Sequence, residues 1–241
     1  MKNMLQCRQK TRIIMSEQEN NELTKLLSPQ RLSSYENLDE HFKNLALVSK
    51  ITPKLALIEI ALRNLMDNLL KQNNKQWLLN SNDDIVCKMK KEILERANTP
   101  NATLSHEQFL SRFTLGANIA IIKKYKLQDR IFNFKKLNFR DFYDGNKNYY
   151  LSKSGNKIKF KKRYKVSIML NLFRGIRNRA FHWDNLYKLT QKGQKLVPRL
   201  STNAQNTILS IHPQKIELFL DYILNSLNGV LLKALNEKMG E

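Results

Sequence analysis

Residues 52–71 read TPKLALIEIALRNLMDNLLK, and this stretch decides the fold. Its apolar residues cover most of the circumference of a helix, a pattern typical of a central, buried helix with Pro53 in its first turn. Three polar residues interrupt the pattern: Glu59, Arg63 and Asn64. Glu59 and Arg63 are four residues apart with the acid first, which favours an ion pair within the helix. The alternative is a polar cluster buried beside another helix.

The rest of the chain predicts an all-α bundle around this helix, whose 53–72 segment is expected to be the most buried. Only 7 Gly and 5 Pro in 241 residues argue against an all-β fold with many tight turns. A central sheet of four or more strands would contradict this prediction. The surrounding helices are expected near 35–50, 83–97, 105–125, 163–183 and 213–238.

The chain is predicted to divide into an extension, residues 1–30, and a helical domain, residues 31–241. The extension is expected to be partly disordered. Residues 1–14 are basic and lack periodicity. They are either a disordered extension or a start-site artefact, because Met15 could itself be the natural start.

Residues 126–165 are predicted to form an insertion, with a small hairpin around Gly155. Aromatic and basic residues interleave there, which suits single-stranded nucleic acid through base stacking and phosphate contacts. The alternative is that the aromatic rings pack beneath the loop and the lysines are only solvated. The lysines expected to bind RNA are Lys157, Lys159, Lys161 and Lys162.

The charge balance points to an anionic partner. The chain has 42 Lys and Arg against 21 Asp and Glu, so its formal net charge is +21 and its pI is about 10.0. Such a balance is typical of nucleic-acid binding. An AT-rich genome, which favours Lys and Asn codons in all of its proteins, would also produce a basic chain.

Cysteine spacing and hydropathy predict a cytoplasmic protein without a metal, a cofactor or a membrane partner. Cys7 and Cys87 have neither C-x-x-C spacing nor histidines at ligand distance, and two lone cysteines fit a reducing compartment. The sequence has no signal-peptide pattern and no apolar stretch long enough to cross a membrane.

A second decisive stretch, RNRAFH at residues 177–182, follows an apolar helical run at residues 166–176. Asn178 and His182 are four residues apart and share a helical face. Arg177 and His182 are about 140° apart around a helix, so one straight helix does not aim both at one atom. We expect a bent helix end or a homodimer that places two such sets around one cleft. The alternative is a helix end with a solvated basic face and one hydrogen-bonded histidine.

Both stretches resemble a known family. LIEIALRN, residues 57–64, resembles the L-x-E-x-x-L-R-N helix of the abortive-infection (Abi-like) proteins, and IRNRAFH, residues 176–182, resembles their later R-N-R-x-x-H helix. The chain from residue 32 onward is therefore similar to the Abi-like branch of the HEPN superfamily, which is all-helical. Trp183 occupies a position where family members often carry a second histidine.

The resemblance implies a metal-independent endoribonuclease, acting in phage defence or as a toxin. His182 would move a proton to or from the 2′-OH or the leaving 5′-oxygen, and Arg177 would stabilise charge on the phosphate. Asn178 would bind the phosphate or orient the ring, and Arg179 would hold a neighbouring phosphate. The products would be a 2′,3′-cyclic phosphate and a 5′-hydroxyl.

Three partners are implied: RNA, a second copy of the chain, and an antitoxin or regulatory protein. Glu59, Arg63 and Asn64 would form a supporting polar cluster, with Arg63 or Asn64 facing His182. The alternative is a non-catalytic HEPN-like module that binds nucleic acid or another protein.

Overall fold

The computed structural model describes residues 16–98, 103–134 and 137–239, and the fold within them is mostly helical. The prediction for residues 1–14 lies outside the described residues. None of the described helices is long and apolar enough to cross a membrane. The helices are α1 (Glu17–Leu27), α2 (Pro29–Leu32), α3 (Leu38–Lys71), α4 (Asp84–Arg96), α5 (His106–Ser111), α6 (Leu115–Lys124), α7 (Gln128–Ile131), α8 (Lys162–Phe181), α9 (Ile216–Leu227) and α10 (Gly229–Met239).

One long helix, α3, spans both of the helices that the sequence predicted near 35–50 and 53–72. It begins where the side chain of Asn37 accepts a hydrogen bond from the Glu40 amide. The predicted boundary at Pro53 is wrong, because the proline lies inside the helix. Proline removes one helical hydrogen bond, but long helices packed against a core tolerate the loss.

The core lies between α3, α6, α8 and α9. On α3 the buried residues follow helical spacing, and the central ones are fully inaccessible to solvent. The opposite face of α3 stays open, so the predicted burial holds for one side of the helix. The core residues of α3 and α8 include Ile51, Leu55, Ile58, Leu62, Met66, Val166, Met169, Phe173, Ile176 and Ala180.

In the described part of the chain, three two-stranded antiparallel hairpins correct the all-α prediction. The hairpin expected around Gly155 is confirmed, with Gly155 at a φ of 81° in its turn. Two further hairpins follow α8, between the helices predicted near 163–183 and 213–238. Within the described ranges no larger sheet forms. The strands are β1 (Tyr149–Leu151), β2 (Lys157–Lys159), β3 (Leu189–Lys192), β4 (Lys195–Pro198), β5 (Ser201–Ala204) and β6 (Thr207–Ser210).

Two predicted helices are divided. The helix predicted for 105–125 divides into α5 and α6, and Thr114 caps α6 by accepting a hydrogen bond from Ala117 N at 3.1 Å. The helix predicted for 213–238 was expected to be continuous, but it divides at Asn228. The backbone there is extended, and the Asn228 side chain accepts from Val230 N at 3.0 Å. A side chain that bonds its own backbone competes with the helix at this position.

Candidate functional site

The RNRAFH motif forms the C-terminal end of α8, and His182 is the C-cap residue of this helix. Trp183 then adopts a left-handed backbone conformation, with φ at 57°. Its amide donates to the Ala180 carbonyl at 3.1 Å, and the Asp184 amide donates to the Arg179 carbonyl at 2.8 Å. These two bonds make a Schellman ending, in which glycine is the usual left-handed residue. A non-glycine residue there costs about 1–2 kcal/mol.

The N-terminal segment holds this helix end in place. The Trp183 carbonyl accepts hydrogen bonds from Arg31 Nη1 at 3.2 Å and from the Tyr35 hydroxyl at 3.3 Å. Asn44, which is fully buried in α3, donates to the Asp184 carbonyl at 3.2 Å. No local sequence pattern indicates these contacts, because they join residues that lie 140 or more positions apart.

Arg177 is held by Glu59 of α3. Its Nε donates to Glu59 Oε2 at 3.0 Å and its Nη2 donates to Oε1 at 3.4 Å, a two-point ion pair between residues 118 positions apart. The guanidinium carbon also lies 5.1 Å from the centre of the Phe181 ring, within cation–π range. The carboxylate and the ring together fix the plane of the guanidinium. Within the described residues, Nη1 has no hydrogen-bond partner and is open to a ligand.

His182 and Asn178 are exposed on the same end of α8. The Asn178 carbonyl accepts the His182 amide at 3.0 Å, as the helix requires. No hydrogen bond or ion pair joins the His182 ring to the described part of the chain. The ring is therefore available to an incoming substrate rather than used as a structural hydrogen-bonding group.

Arg179 does not share this exposure. Its side chain is 23% exposed, and the ion pair that it makes is a long one, 3.9 Å from Nη1 to Asp184 Oδ2. Burial lowers the pKa of Arg179, nearby Arg199 lowers it further, and Asp184 opposes both. Nη1 is buried without a hydrogen-bond partner among the described residues. This inward position does not favour the predicted role of Arg179 as an outer phosphate contact.

The supporting polar cluster is only partly assembled. Glu59 joins Arg177 and not Arg63, so the expected ion pair within α3 is replaced by one between helices. Asn44 meets the end of α8 while Glu59, further along α3, meets Arg177, so the two helices run in opposite directions. Arg63 and Asn64 lie beyond Glu59, farther from His182. No hydrogen bond joins either of them to His182 within the described ranges.

An exposed stripe runs along one face of α3. Phe42 and Ile60 are 47% and 46% exposed, large fractions for such apolar side chains. Ile60 neighbours Glu59 in the sequence, and Glu59 joins Arg177, which lies over Phe181, itself 44% exposed. We call Phe181 and the exposed residues of this stripe on α3 the open face. At about 100° per residue, its α3 members fall within one narrow arc. They are Phe42, Ala46, Ser49, Ala56 and Ile60.

The predicted RNA-binding lysines lie at the other end of α8. Lys157 and Lys159 are exposed on β2, and Lys157 Nζ lies 5.3 Å from the centre of the Tyr149 ring. Lys161 occupies the N-cap position of α8, and Lys162 is the first residue of the helix. A helix of 20 residues spans about 30 Å, so this cluster is well separated from His182.

The sequence left open whether the aromatic rings of the insertion stack on bases or pack beneath the loop, and the structure divides them between these two alternatives. Phe139, Phe142 and Phe160 are 0%, 2% and 4% exposed, so these rings pack beneath the insertion. Tyr149 and Tyr150, by contrast, are half-buried on β1. The buried rings support the insertion and cannot stack on bases.

His106 is buried. Its Nε2 lies 2.6 Å from Asp67 Oδ1, which also accepts from Trp77 Nε1 at 2.8 Å. Asp67 Oδ2 pairs with Lys71 at 2.8 Å. This cluster joins the end of α3 to α5. In the described ranges, no three His, Cys, Asp or Glu residues are grouped to hold a metal ion.

Comparison of the chain with protein-family models, with curated proteins and with solved structures gave no match. The family resemblance therefore rests on the two motifs alone.

Proposed function

We propose that this protein is a metal-independent endoribonuclease of the HEPN type, with Arg177 and His182 as its catalytic pair. The observation that carries the proposal is the Glu59–Arg177 ion pair at the same helix end as His182, which is exposed and has no side-chain partner among the described residues. The two motif helices thus meet through one residue from each motif. A structural ion pair alone would not require a free imidazole one helical turn away.

The reaction needs only groups that these side chains supply. The 2′-oxygen of the RNA attacks the phosphorus, the bond to the 5′-oxygen breaks, and a 2′,3′-cyclic phosphate and a 5′-hydroxyl result. His182 takes the proton of the 2′-OH or donates one to the leaving 5′-oxygen, since imidazole exchanges protons near neutral pH. Arg177 Nη1 binds a phosphate oxygen and stabilises the charge that develops on it. Asn178 lies on the same face as His182 and contacts the same nucleotide.

The open face supports a two-fold dimer as the active form. Phe42, Ile60 and Phe181 are large apolar side chains that are exposed, and Phe181 lies against Arg177, so association would remove apolar surface from water. Such a dimer brings the partner's His182 to the same cleft. One imidazole then serves as the base and the other as the acid. The resemblance places such an enzyme in phage defence or among toxins, with an antitoxin or regulatory protein as a further partner.

Product chemistry tests this proposal. Labelled single-stranded and structured RNA are incubated with the protein in EDTA, and the new ends are identified. We expect a 2′,3′-cyclic phosphate and a 5′-hydroxyl, and no cleavage at a nucleotide whose 2′-OH is replaced by hydrogen. Binding of RNA without any cleavage would instead favour the non-catalytic binding module.

Two variants separate chemistry from binding. Arg177→Lys should cleave much more slowly, because lysine keeps the charge but loses the planar fork. Its affinity for RNA should change little, since other lysines supply most phosphate contacts. His212→Ala, which alters a half-buried histidine far from α8 in the sequence, is the control and should cleave like the parent.

The basic insertion is tested by salt dependence. The logarithm of the RNA association constant should fall linearly with the logarithm of salt concentration, because phosphate contacts release counterions. Replacing Lys157, Lys159, Lys161 and Lys162 together should flatten this slope. An unchanged slope would show that these four lysines are only solvated.

A further inference from the structure

We propose that a cleft at the N-terminal end of α8 binds a nucleotide, with the phosphate on the helix end and the base against Gln128. This α8 cleft has a volume of about 620 Å³. That size is within the range of small-molecule sites. It lies about 30 Å along α8 from His182, so the site is separate from the catalytic pair. Its lining residues are Lys123, Gln128, Asp129, Lys161, Lys162, Arg163, Tyr164 and Ser167.

The helix end offers hydrogen-bond donors to an anion. Lys161 is the N-cap of α8, and its side chain does not cap the helix. The first helical bond runs from Lys165 N to the Lys161 carbonyl at 3.1 Å. The amides of Lys162, Arg163 and Tyr164 therefore have no acceptor within the helix. Free amides together with the positive end of the helix dipole favour a phosphate group.

The charges around the cleft favour the same ligand. Four cationic side chains, Lys123, Lys161, Lys162 and Arg163, line it against one carboxylate, that of Asp129. Arg163 Nη2 lies 3.7 Å from Asp129 Oδ2, too far for a strong hydrogen bond. A phosphate at the helix end would interact with a surplus of positive charge.

A second, independent observation concerns Gln128. Its side chain lines the α8 cleft but is only 3% exposed, and its Oε1 has no hydrogen-bond partner among the described residues. Buried carbonyl oxygens are normally paired, so this one awaits a donor. An ionised phosphate carries no N–H, whereas a nucleobase offers amino or imino hydrogens. The ligand therefore combines an anion with an N–H donor, which describes a nucleotide.

Tyr164 completes the site. It is 42% exposed at the mouth of the α8 cleft, beside the free amides of the helix end. A nucleobase stacks on an exposed aromatic ring with little regard to its identity. The nucleotide has two sources, a free mononucleotide or the 5′-phosphorylated end of an RNA strand, and both carry the same chemistry.

Calorimetric titration of full-length His182→Ala protein tests the proposal without cleavage. The probes are the four nucleoside 5′-monophosphates, inorganic phosphate, and a 2′-O-methyl oligonucleotide with either a 5′-phosphate or a 5′-hydroxyl. We expect at least one monophosphate to bind at least tenfold more tightly than inorganic phosphate. A preference for the 5′-phosphorylated oligonucleotide over free monophosphates would assign the α8 cleft to RNA ends, and the reverse order would assign it to free nucleotides.

Variants show whether the α8 cleft is responsible. Gln128→Leu should weaken nucleotide binding at least tenfold and leave its thermal unfolding temperature equal or higher, because an unpaired polar atom is removed. Lys162→Ala should weaken both nucleotide and phosphate binding, whereas Lys91→Ala, an exposed lysine on α4, should change neither. Nucleotide binding that is unaffected by both cleft variants, or no preference for nucleotides over phosphate, would overturn the proposal. Cleavage assays on the parent protein are independent of either result.

Discussion

Replacing Glu59 with glutamine tests how Arg177, the proposed catalytic arginine, is positioned. The Glu59 carboxylate accepts two N–H groups of Arg177, at 3.0 and 3.4 Å, and the two side chains are 24% and 31% exposed. Exposed ion pairs contribute about 0.2–1 kcal/mol, and hydrogen bonds to charged groups about 1.5–3 kcal/mol. For a half-buried pair we expect Glu59→Gln to lower the free energy of unfolding by about 1–2 kcal/mol.

The effect on cleavage should be larger than the effect on folding. Without the carboxylate, Arg177 is no longer fixed against both α3 and Phe181. A displacement of about 1 Å in a catalytic group costs up to about 10²-fold in rate. We therefore expect single-turnover cleavage of RNA in EDTA to slow by about 10- to 100-fold, with RNA affinity nearly unchanged.

A matched variant separates positioning from general destabilisation. Glu217 of α9 is 33% exposed and pairs with Lys50 of α3 at 2.8 Å, so Glu217→Gln removes a comparable ion pair to the same helix. Urea denaturation and single-turnover cleavage are measured for both variants. We expect similar losses of stability but slower cleavage only in Glu59→Gln. Equal cleavage by the parent and Glu59→Gln would refute the positioning role of this ion pair.

Three further predictions concern other parts of the fold. Trp183→Gly should be more stable than Trp183→Ala by about 1 kcal/mol in urea denaturation, because the left-handed conformation favours glycine. Burial opposes ionisation of Asp67, but hydrogen bonds from Lys71 and its other partners outweigh it and lower the pKa below the ordinary 3.8. The ionised Asp67 carboxylate therefore stabilises the folded protein above pH 3.8, and this stabilisation is lost as the pH falls through the lower pKa of the folded state. Between pH 5 and pH 2 the parent should accordingly lose more stability than Asp67→Asn. Ile60→Asp should shift the protein towards a monomer in sedimentation, whereas Val230→Asp, at an exposed apolar position of α10, should not.

Much of the helical part of the fold could be predicted from the sequence, because helical periodicity is a local signal. The spacing of Leu55, Ile58 and Leu62 marks a buried face without knowledge of any partner. Pro53 misled the prediction, since proline at a helix start and proline inside a long, packed helix look alike locally. The hairpins after α8 were missed for a related reason. In the turn between β5 and β6, Gln205 and Asn206 adopt φ values of 51° and 57°. Because this turn contains no glycine, the sequence gives little indication that the backbone is left-handed there.

The candidate site could be predicted in its residues but not in its contacts. Spacing made Arg63 the nearest partner for Glu59, whereas the structure pairs Glu59 with Arg177. Pairing across helices depends on how the two helices pack, and no local pattern encodes that. The tie between Asn44 and the end of α8 was missed for the same reason.

The rate of metal-free RNA cleavage by the parent and by His182→Ala tests the central claim most directly. In EDTA, removing the imidazole should slow cleavage by about 10²- to 10⁴-fold, because it removes the group that transfers the proton. RNA binding and thermal unfolding should stay close to those of the parent, since the ring is exposed and has no partner in the described part of the chain. Cleavage by His182→Ala at the rate of the parent would contradict the account.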